Sequence, residues 1–169
     1  LDRLWELGQA LQAVPYGIEA LMVMRTEKGY LHVGGDTDGT TLPGDIGMDR
    51  GIAKKAANFV GRRSLLRPAA LDAQRMQLVG LVPADRKTRL PVGAHAVAPP
   101  GPPGTIEGFV TSSHHSPNLG YPVALAMLQC GRARVGERIT VHHLGTAIAA
   151  EVVATPFFDP KGERLHGRT

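Results

Sequence analysis

The sequence predicts an α+β fold, in which a helical first part is followed by six short strands of a small antiparallel barrel or sandwich. Apolar residues recur at three- and four-residue spacing at the start of the chain, whereas from about Met76 onward they form short β-type runs. The 21 glycines and 13 prolines among 169 residues cluster in the connectors between these runs, and this favours many short elements.

The chain opens with an amphipathic helix that has polar side chains between its apolar positions. Leu1 already lies within this pattern and no methionine precedes it, so we expect the sequence to be part of a longer protein. We expect Trp5 and Tyr16 to belong to the core. A second short apolar helix is predicted from Ile18 to Met24. The apolar positions of the first helix are Leu4, Leu7, Leu11 and Val14.

The middle of the chain is predicted to be irregular. Residues 33–39 are rich in glycine and aspartate and predict a loop, and a short strand is expected near Ile52 to Lys55. Ser64 to Leu66 reads as a helical turn that ends at Arg67-Pro68, because the residue before proline avoids the helical conformation. We place a domain boundary near residues 68–75, which gives domains 1–70 and 71–169.

The second domain is predicted to hold six strands of regular spacing, typical of a small barrel or sandwich. A polar corner closed by Ser116-Pro117 is expected between the third and fourth strands. A connector rich in proline and glycine, Pro99 to Gly104, separates the second and third. The predicted strands are Gln77–Val82, Ala94–Ala98, Ile106–Thr111, Val123–Leu128, Arg138–His143 and Ala147–Ala154.

Composition limits the function classes. The single Cys130, expected to be a buried small hydrophobe, forms no internal disulfide, and this predicts a reduced, cytoplasmic setting. No apolar run approaches the ~20 residues of a membrane helix. The net charge of +4 is scattered, so we expect neither a nucleic-acid nor a membrane partner. An oligonucleotide-binding barrel needs stacking aromatics, and these strands offer only Phe109 and Tyr121.

Metal and phosphate sites find little support. The loop 34–41 carries two aspartates but lacks the bidentate glutamate of a calcium loop, and no Gly-Lys-Ser/Thr of a phosphate loop follows. We interpret it as an Asx-turn loop whose backbone can line a pocket. Adjacent histidines on a strand point to opposite faces, so neither His114-His115 nor His142-His143 forms a bidentate site by itself. We therefore expect no metal.

The segment Arg25 to Gly29 leaves the second helix and enters a glycine-bearing loop. A carboxylate at Glu27 can accept parallel hydrogen bonds from an N–H and an adjacent amino group, and Arg25 can keep it ionised. By residue types alone, a solvated charged patch at a helix end is the commoner interpretation of such a cluster.

Two motifs, Arg25-Thr26-Glu27-Lys28-Gly29 and the stretch from Gly108 to Met127, resemble the folate-dependent aminomethyltransferases, or glycine-cleavage T-proteins. The resemblance covers essentially the whole chain. Residues 36–43 and Asn58 to Arg62 look like the end of the family's folate-binding core, although Asn58 stands where the T-protein pattern has aspartate. Residues 136–145 and 157–167 resemble the α subunits of heterotetrameric sarcosine oxidase.

The resemblance implies that residues 1–70 are part of a folate-binding core and that 71–169 form the family's C-terminal barrel. It implies tetrahydrofolate as cofactor, Glu27 as the pterin ligand, and Arg25 and Tyr30 as weaker candidates. It further implies uptake of the one-carbon unit of sarcosine to give 5,10-methylenetetrahydrofolate. Flavin and NAD are expected only elsewhere in such a holoenzyme, because this chain lacks the glycine-rich dinucleotide fingerprints.

The aspartate that assists the transfer in the family belongs to an N-terminal half that this sequence does not include. We therefore expect no catalytic residue and no complete active site in this chain alone. Its expected partners are other sarcosine oxidase subunits or the rest of its own subunit. Two alternatives stay open: a non-catalytic docking module that uses the tail from Phe157 to Gly167, and part of a stand-alone aminomethyltransferase.

Overall fold

The computed structural model describes residues 1–97, 105–164 and 166–167. The helices are α1 (Asp2–Gln9), α2 (Ile18–Glu27) and α3 (Asp49–Ala53). Short 3-10 turns follow at Arg62–Leu66, Pro68–Ala70 and Gly131–Arg134. The strands are β1 (Met76–Pro83), β2 (His95–Val97), β3 (Ile106–Ser116), β4 (Tyr121–Gln129), β5 (Arg138–His143) and β6 (Thr146–Val153).

The six strands close into an antiparallel barrel in the order β1-β4-β3-β2-β5-β6. The predicted α+β class with a six-stranded barrel is therefore confirmed. Each of the six strands predicted for the second domain is present, with bounds shifted by a few residues. Ala98 and the predicted connector 99–104 lie outside the described residues.

Small and branched aliphatic side chains fill the barrel, and this explains how a chain with 5% aromatic residues forms a closed core. Alternate residues of β4 point inward, so that the narrow interior receives alanine where strands lie close and leucine where space remains. The interior set comprises Val79, Leu81, Leu90, Ala94, Ala96, Val110, Ala124, Ala126, Leu128, Ile139, Val141, Ala150 and Val152.

A second apolar cluster lies on the outer face of β1, β3 and β4. Leu78, Leu125 and Met127 are buried there, under Leu31, Ile46, Met76, Phe109 and Phe157. This cluster joins the helical part and the C-terminal segment to the barrel, and so fixes where the polar side chains of α2 meet β3.

Two predictions of local structure are wrong. The strand expected near Ile52 to Lys55 is instead the end of α3, which begins at Asp49, a residue that suits the positive end of a helix. The polar corner is also shorter than expected, because β3 continues to Ser116 and the turn occupies 117–120. Its polar residues remain in the strand because their backbone pairs with β4, and the side chains of Ser112 and Ser116 bond carboxylates of the helical part.

Three predicted core residues are not buried. Trp5 is 47% exposed and Tyr16 is 66% exposed, because α1 has no buried residue and no described part of the chain covers its apolar side. Cys130 is half-buried rather than enclosed. It takes a left-handed backbone conformation (φ 51°) just after β4, and its Sγ lies 3.1 Å from the backbone oxygen of Ala73.

Candidate functional site

The C-terminal end of α2 lies against β3 and brings the predicted site residues to the barrel. Thr26 and Glu27 are the buried residues of this helix. The helix ends because Gly29 adopts a positive φ of 65°, a conformation that glycine takes without strain. A Cβ at Gly29 would lie 2.7 Å from the Thr155 Cβ, so glycine is also needed for the close approach of these two segments.

Arg25 forms an ion pair with Asp36 of the loop 33–39, through Nη1 and the carboxylate Oδ2. Its Nη2 donates to the Ser112 hydroxyl on β3 at 2.6 Å. Nη1 also reaches the backbone oxygen of Tyr30 at 3.3 Å. Nε of Arg25 is buried and has no hydrogen-bond partner in the described part of the chain. One arginine therefore links the helix, the loop and the barrel, and keeps one donor free.

Asp36 is the buried anion at the centre of this cluster. Its Oδ1 accepts hydrogen bonds from the Thr111 and Ser112 hydroxyls, both at 2.6 Å, and its Oδ2 accepts from the His32 N–H at 2.8 Å. Burial raises the pKa of Asp36, but the bonds from Ser112, Thr111 and His32 and the charge of Arg25 together outweigh it and lower that pKa. Asp36 is thus held ionised.

Glu27 is 2% exposed and both of its carboxylate oxygens have protein partners. Ser116 donates to Oε1, and the Asn118 side-chain amide donates to Oε2 at 2.8 Å. The Ser116 hydroxyl also accepts the N–H of Leu119 at 3.0 Å. The carboxylate therefore joins α2 to the β3–β4 turn. A direct contact between Glu27 and a pterin stays a prediction.

The C-terminal segment passes over the same helix end. The backbone oxygen of Glu27 accepts the N–H groups of Phe157 and Phe158 at 2.9 and 3.1 Å, and Lys28 pairs with the Asp159 carboxylate at 2.9 Å. The Phe157 ring occupies the space where Gly80 has no side chain, because a Cβ there would lie 2.7 Å from the ring. This part of the predicted docking tail is therefore held by its own chain.

Tyr30 lies beside these buried pairs and is 60% exposed. The loop that follows it lines a cleft of about 340 Å³, whose floor includes Phe109 and Met127 on the outer face of the barrel. The Arg75–Asp45 ion pair closes one side of the cleft. Asp38 accepts the Thr40 N–H at 2.8 Å, as expected for an Asx turn. The predicted loop thus lines a pocket.

The two histidine motifs lie on different strands of the barrel, His114-His115 on β3 and His142-His143 on β5. Across the described ranges 1–97, 105–164 and 166–167, no three His, Cys, Asp or Glu side chains are placed to hold a metal ion. His114, which lies between Ser112 and Ser116 along β3, is half-buried, whereas His115 is exposed. The pKa of His114 is lowered by burial and then by the charges of Arg89 and Arg25. Nor is any helix in these ranges long and apolar enough to span a membrane.

Sequence reasoning found Arg25 and Glu27 but missed their partners. The sequence predicts Asp36 in a turn and Ser112 and Ser116 in a polar corner, and it gives Asn118 no role. One signal was available: Thr and Ser directly follow an apolar strand and extend it, a pattern that predicts hydroxyls facing a covered surface.

Comparison with known proteins identifies the fold. The family model of the glycine cleavage T-protein C-terminal barrel domain matches residues 76–159, and that of the GCVT N-terminal domain matches residues 1–56. The crystal structure of the glycine cleavage system aminomethyltransferase T from Bartonella henselae superposes with a TM-score of 0.67 at 26% identity, over 83% of this chain and 38% of that one. The barrel and the helical part before it thus have the fold seen in that aminomethyltransferase.

Sarcosine oxidase subunit alpha from Corynebacterium sp. (strain P-1) is 41% identical over 98% of this chain and 18% of its own length. The aminomethyltransferase of Halothermothrix orenii is 32% identical over 91% of this chain and 42% of its own length. The chain therefore belongs to the glycine cleavage T-protein, or aminomethyltransferase, family. It spans less than a fifth of the sarcosine oxidase subunit and about two fifths of the aminomethyltransferase.

Proposed function

We propose that this chain forms part of the tetrahydrofolate-binding region of a sarcosine oxidase α subunit, which takes up the one-carbon unit of sarcosine as 5,10-methylenetetrahydrofolate. The observation that carries the proposal is a similarity of 41% over nearly the whole chain to such a subunit, against 32% to an aminomethyltransferase. Membership of a stand-alone aminomethyltransferase is the alternative within the same family.

The wall formed by α2, the loop 33–39 and β3 fits a pterin ring in its chemistry. A pterin offers N–H donors and a carbonyl acceptor, and the wall holds carboxylates, hydroxyls and one buried guanidinium donor, Arg25 Nε, without a partner in the described residues. Tetrahydrofolate supplies the nitrogen atoms that accept the one-carbon unit. The residues of this chain supply binding and orientation.

We assign different roles to the three candidate residues. Tyr30 is exposed next to Arg25, outside the lining of the cleft, and is available to contact the ligand. Arg25 fixes the loop against β3 through its ion pair with Asp36. Glu27 fixes the end of α2 against the β3–β4 turn, so its effect on folate affinity arises through the shape of the wall. Its neighbour Asn118 should then matter as well, because it bonds the same carboxylate.

The test is calorimetric titration of the full-length protein with tetrahydrofolate. Glu27→Gln keeps the shape but removes the charge that strengthens two hydrogen bonds, and we expect it to weaken folate binding by about 1.5–3 kcal/mol. Asn118→Ala is expected to weaken binding in the same direction. Glu151→Gln, on an exposed position of β6, serves as the matched control and should leave affinity unchanged.

The outcomes separate the assigned roles. If Glu27→Gln loses folate affinity and Asn118→Ala does not, the assigned role is wrong and Glu27 contacts the pterin directly. Unchanged affinity in both variants would remove this wall from the folate site altogether.

A second candidate function is a docking module without a role in folate chemistry. It is favoured by the apolar side of α1, where Leu4, Trp5 and Leu7 are exposed, and by Leu11, which is exposed in the turn after this helix. Such a surface suits burial against another part of the protein. The C-terminal tail supports this candidate less well, because Phe157 to Asp159 are already bound to α2 and the barrel.

A further inference from the structure

The barrel brings together two histidines from separate parts of the sequence. His95 on β2 and His142 on β5 are direct register partners in an antiparallel pair. Both are exposed, whereas their neighbours Ala96 and Val141 are buried, so both imidazoles stand on the outer face. Residues directly opposite each other in such a pair have Cβ atoms about 4.5–5.5 Å apart. Two imidazoles at this spacing can bind one ion from the same side.

We propose that His95 and His142 form a two-histidine site for a divalent transition-metal ion on the outer face of the barrel. Imidazole nitrogen suits Cu²⁺, Ni²⁺ and Zn²⁺, whereas Mg²⁺ and Ca²⁺ require oxygen ligands. In the described residues no third His, Cys, Asp or Glu completes the set, so water occupies the remaining positions and the ion exchanges with solvent.

The surroundings of the pair favour this selectivity. The register neighbour of His142 on β6 is Ala147, whose small side chain leaves room for a hydrated ion. The register neighbour of His95 on β3 is Phe109, which is apolar. No carboxylate stands in this row of the barrel, so the row offers a metal ion nitrogen ligands and no charge to attract Mg²⁺ or Ca²⁺.

The sequence alone does not indicate this site, because His95 is isolated in the chain and the conspicuous motif is His142-His143. His143 lies on the opposite face of β5 from His142, since adjacent residues of a strand point to opposite faces. The site also does not involve α2 or the loop 33–39, and it is independent of the proposed folate function.

The test is titration of the full-length protein with CuCl2, followed by calorimetry and by electron paramagnetic resonance. We expect the wild type to have one more tight Cu²⁺ site than His95→Asn or His142→Asn. Each variant should lose roughly 10²-fold or more in affinity for that ion, because the second ligand no longer acts at high effective concentration. The double variant should have the same number of tight Cu²⁺ sites as either single variant.

His115→Asn is the matched control, since His115 is also exposed on the barrel but has no histidine as its strand partner. It should keep the tight Cu²⁺ site and its two-nitrogen spectroscopic signature, and MgCl2 should not compete. Equal binding by the wild type, His95→Asn and His142→Asn would overturn the proposal, as would an equal loss in His115→Asn. Far-ultraviolet circular dichroism of each variant verifies that the exposed substitutions leave the barrel folded.

Discussion

At the scale of single residues, Asp36 is the side chain on which the buried polar cluster depends. It accepts hydrogen bonds from Thr111 and Ser112 and compensates the charge of Arg25. Removing one partner of a buried ion pair leaves the other charge without compensation. We therefore expect Asp36→Asn to reduce the free energy of unfolding by about 3–5 kcal/mol, measured by urea denaturation. A loss below 1 kcal/mol would contradict this account of the cluster.

The difference in unfolding free energy between wild type and Asp36→Asn should depend on pH, because the pKa of Asp36 is lowered in the folded protein. A carboxylate whose pKa is lower in the folded state contributes stability above its unfolded-state pKa, for which 3.8 is the reference value. The advantage of wild type over Asp36→Asn should be complete near neutral pH. It should shrink as pH falls below 3.8 and Asp36 takes up its proton in the folded state. Urea denaturation of both proteins at a series of pH values measures this trend.

At the scale of elements, the closed barrel is held by a narrow aliphatic interior. Leu128 is fully buried in it, and truncation to alanine removes apolar contacts and leaves a cavity. We expect Leu128→Ala to cost about 2–5 kcal/mol of unfolding free energy. Leu144→Ala, in the β5–β6 turn where the side chain is 92% exposed, should change it by less than about 0.5 kcal/mol. Similar effects of the two substitutions would contradict this description of the core.

The elements also show what the sequence can reveal. The strands were predictable because short apolar runs alternate with glycine and proline, and a closed barrel gives each run one buried face. The end of β3 was not predictable, because Ser112 to Ser116 have the composition of a turn. The partners of Ser112 and Ser116, Asp36 and Glu27, lie 76 and 89 positions away along the chain, and no local pattern indicates such a contact. The exposure of Trp5 was missed because an amphipathic pattern does not tell which part of a protein covers it.

At the scale of the whole molecule, the chain joins a barrel of the glycine cleavage T-protein family to the helical part that precedes it. The solved relative is much longer, since the aligned region covers 38% of it. The exposed apolar side of α1 lies in the part before the barrel, and the polar wall lies where α2 and the loop 33–39 of that part meet β3. We infer that folate binding and assembly depend on the same region, where the rest of the protein meets this chain.

The most direct test of the central claim is the fate of the methyl carbon of sarcosine. The assembled holoenzyme, with its flavin-bearing subunit and dissolved O2 as the two-electron oxidant, is supplied with sarcosine labelled with ¹³C in its methyl group, with and without tetrahydrofolate, and the products are identified by nuclear magnetic resonance. We expect 5,10-methylenetetrahydrofolate as the labelled product when tetrahydrofolate is present and free formaldehyde when it is absent. Labelled formaldehyde under both conditions would contradict the folate function and leave the docking role as the better description.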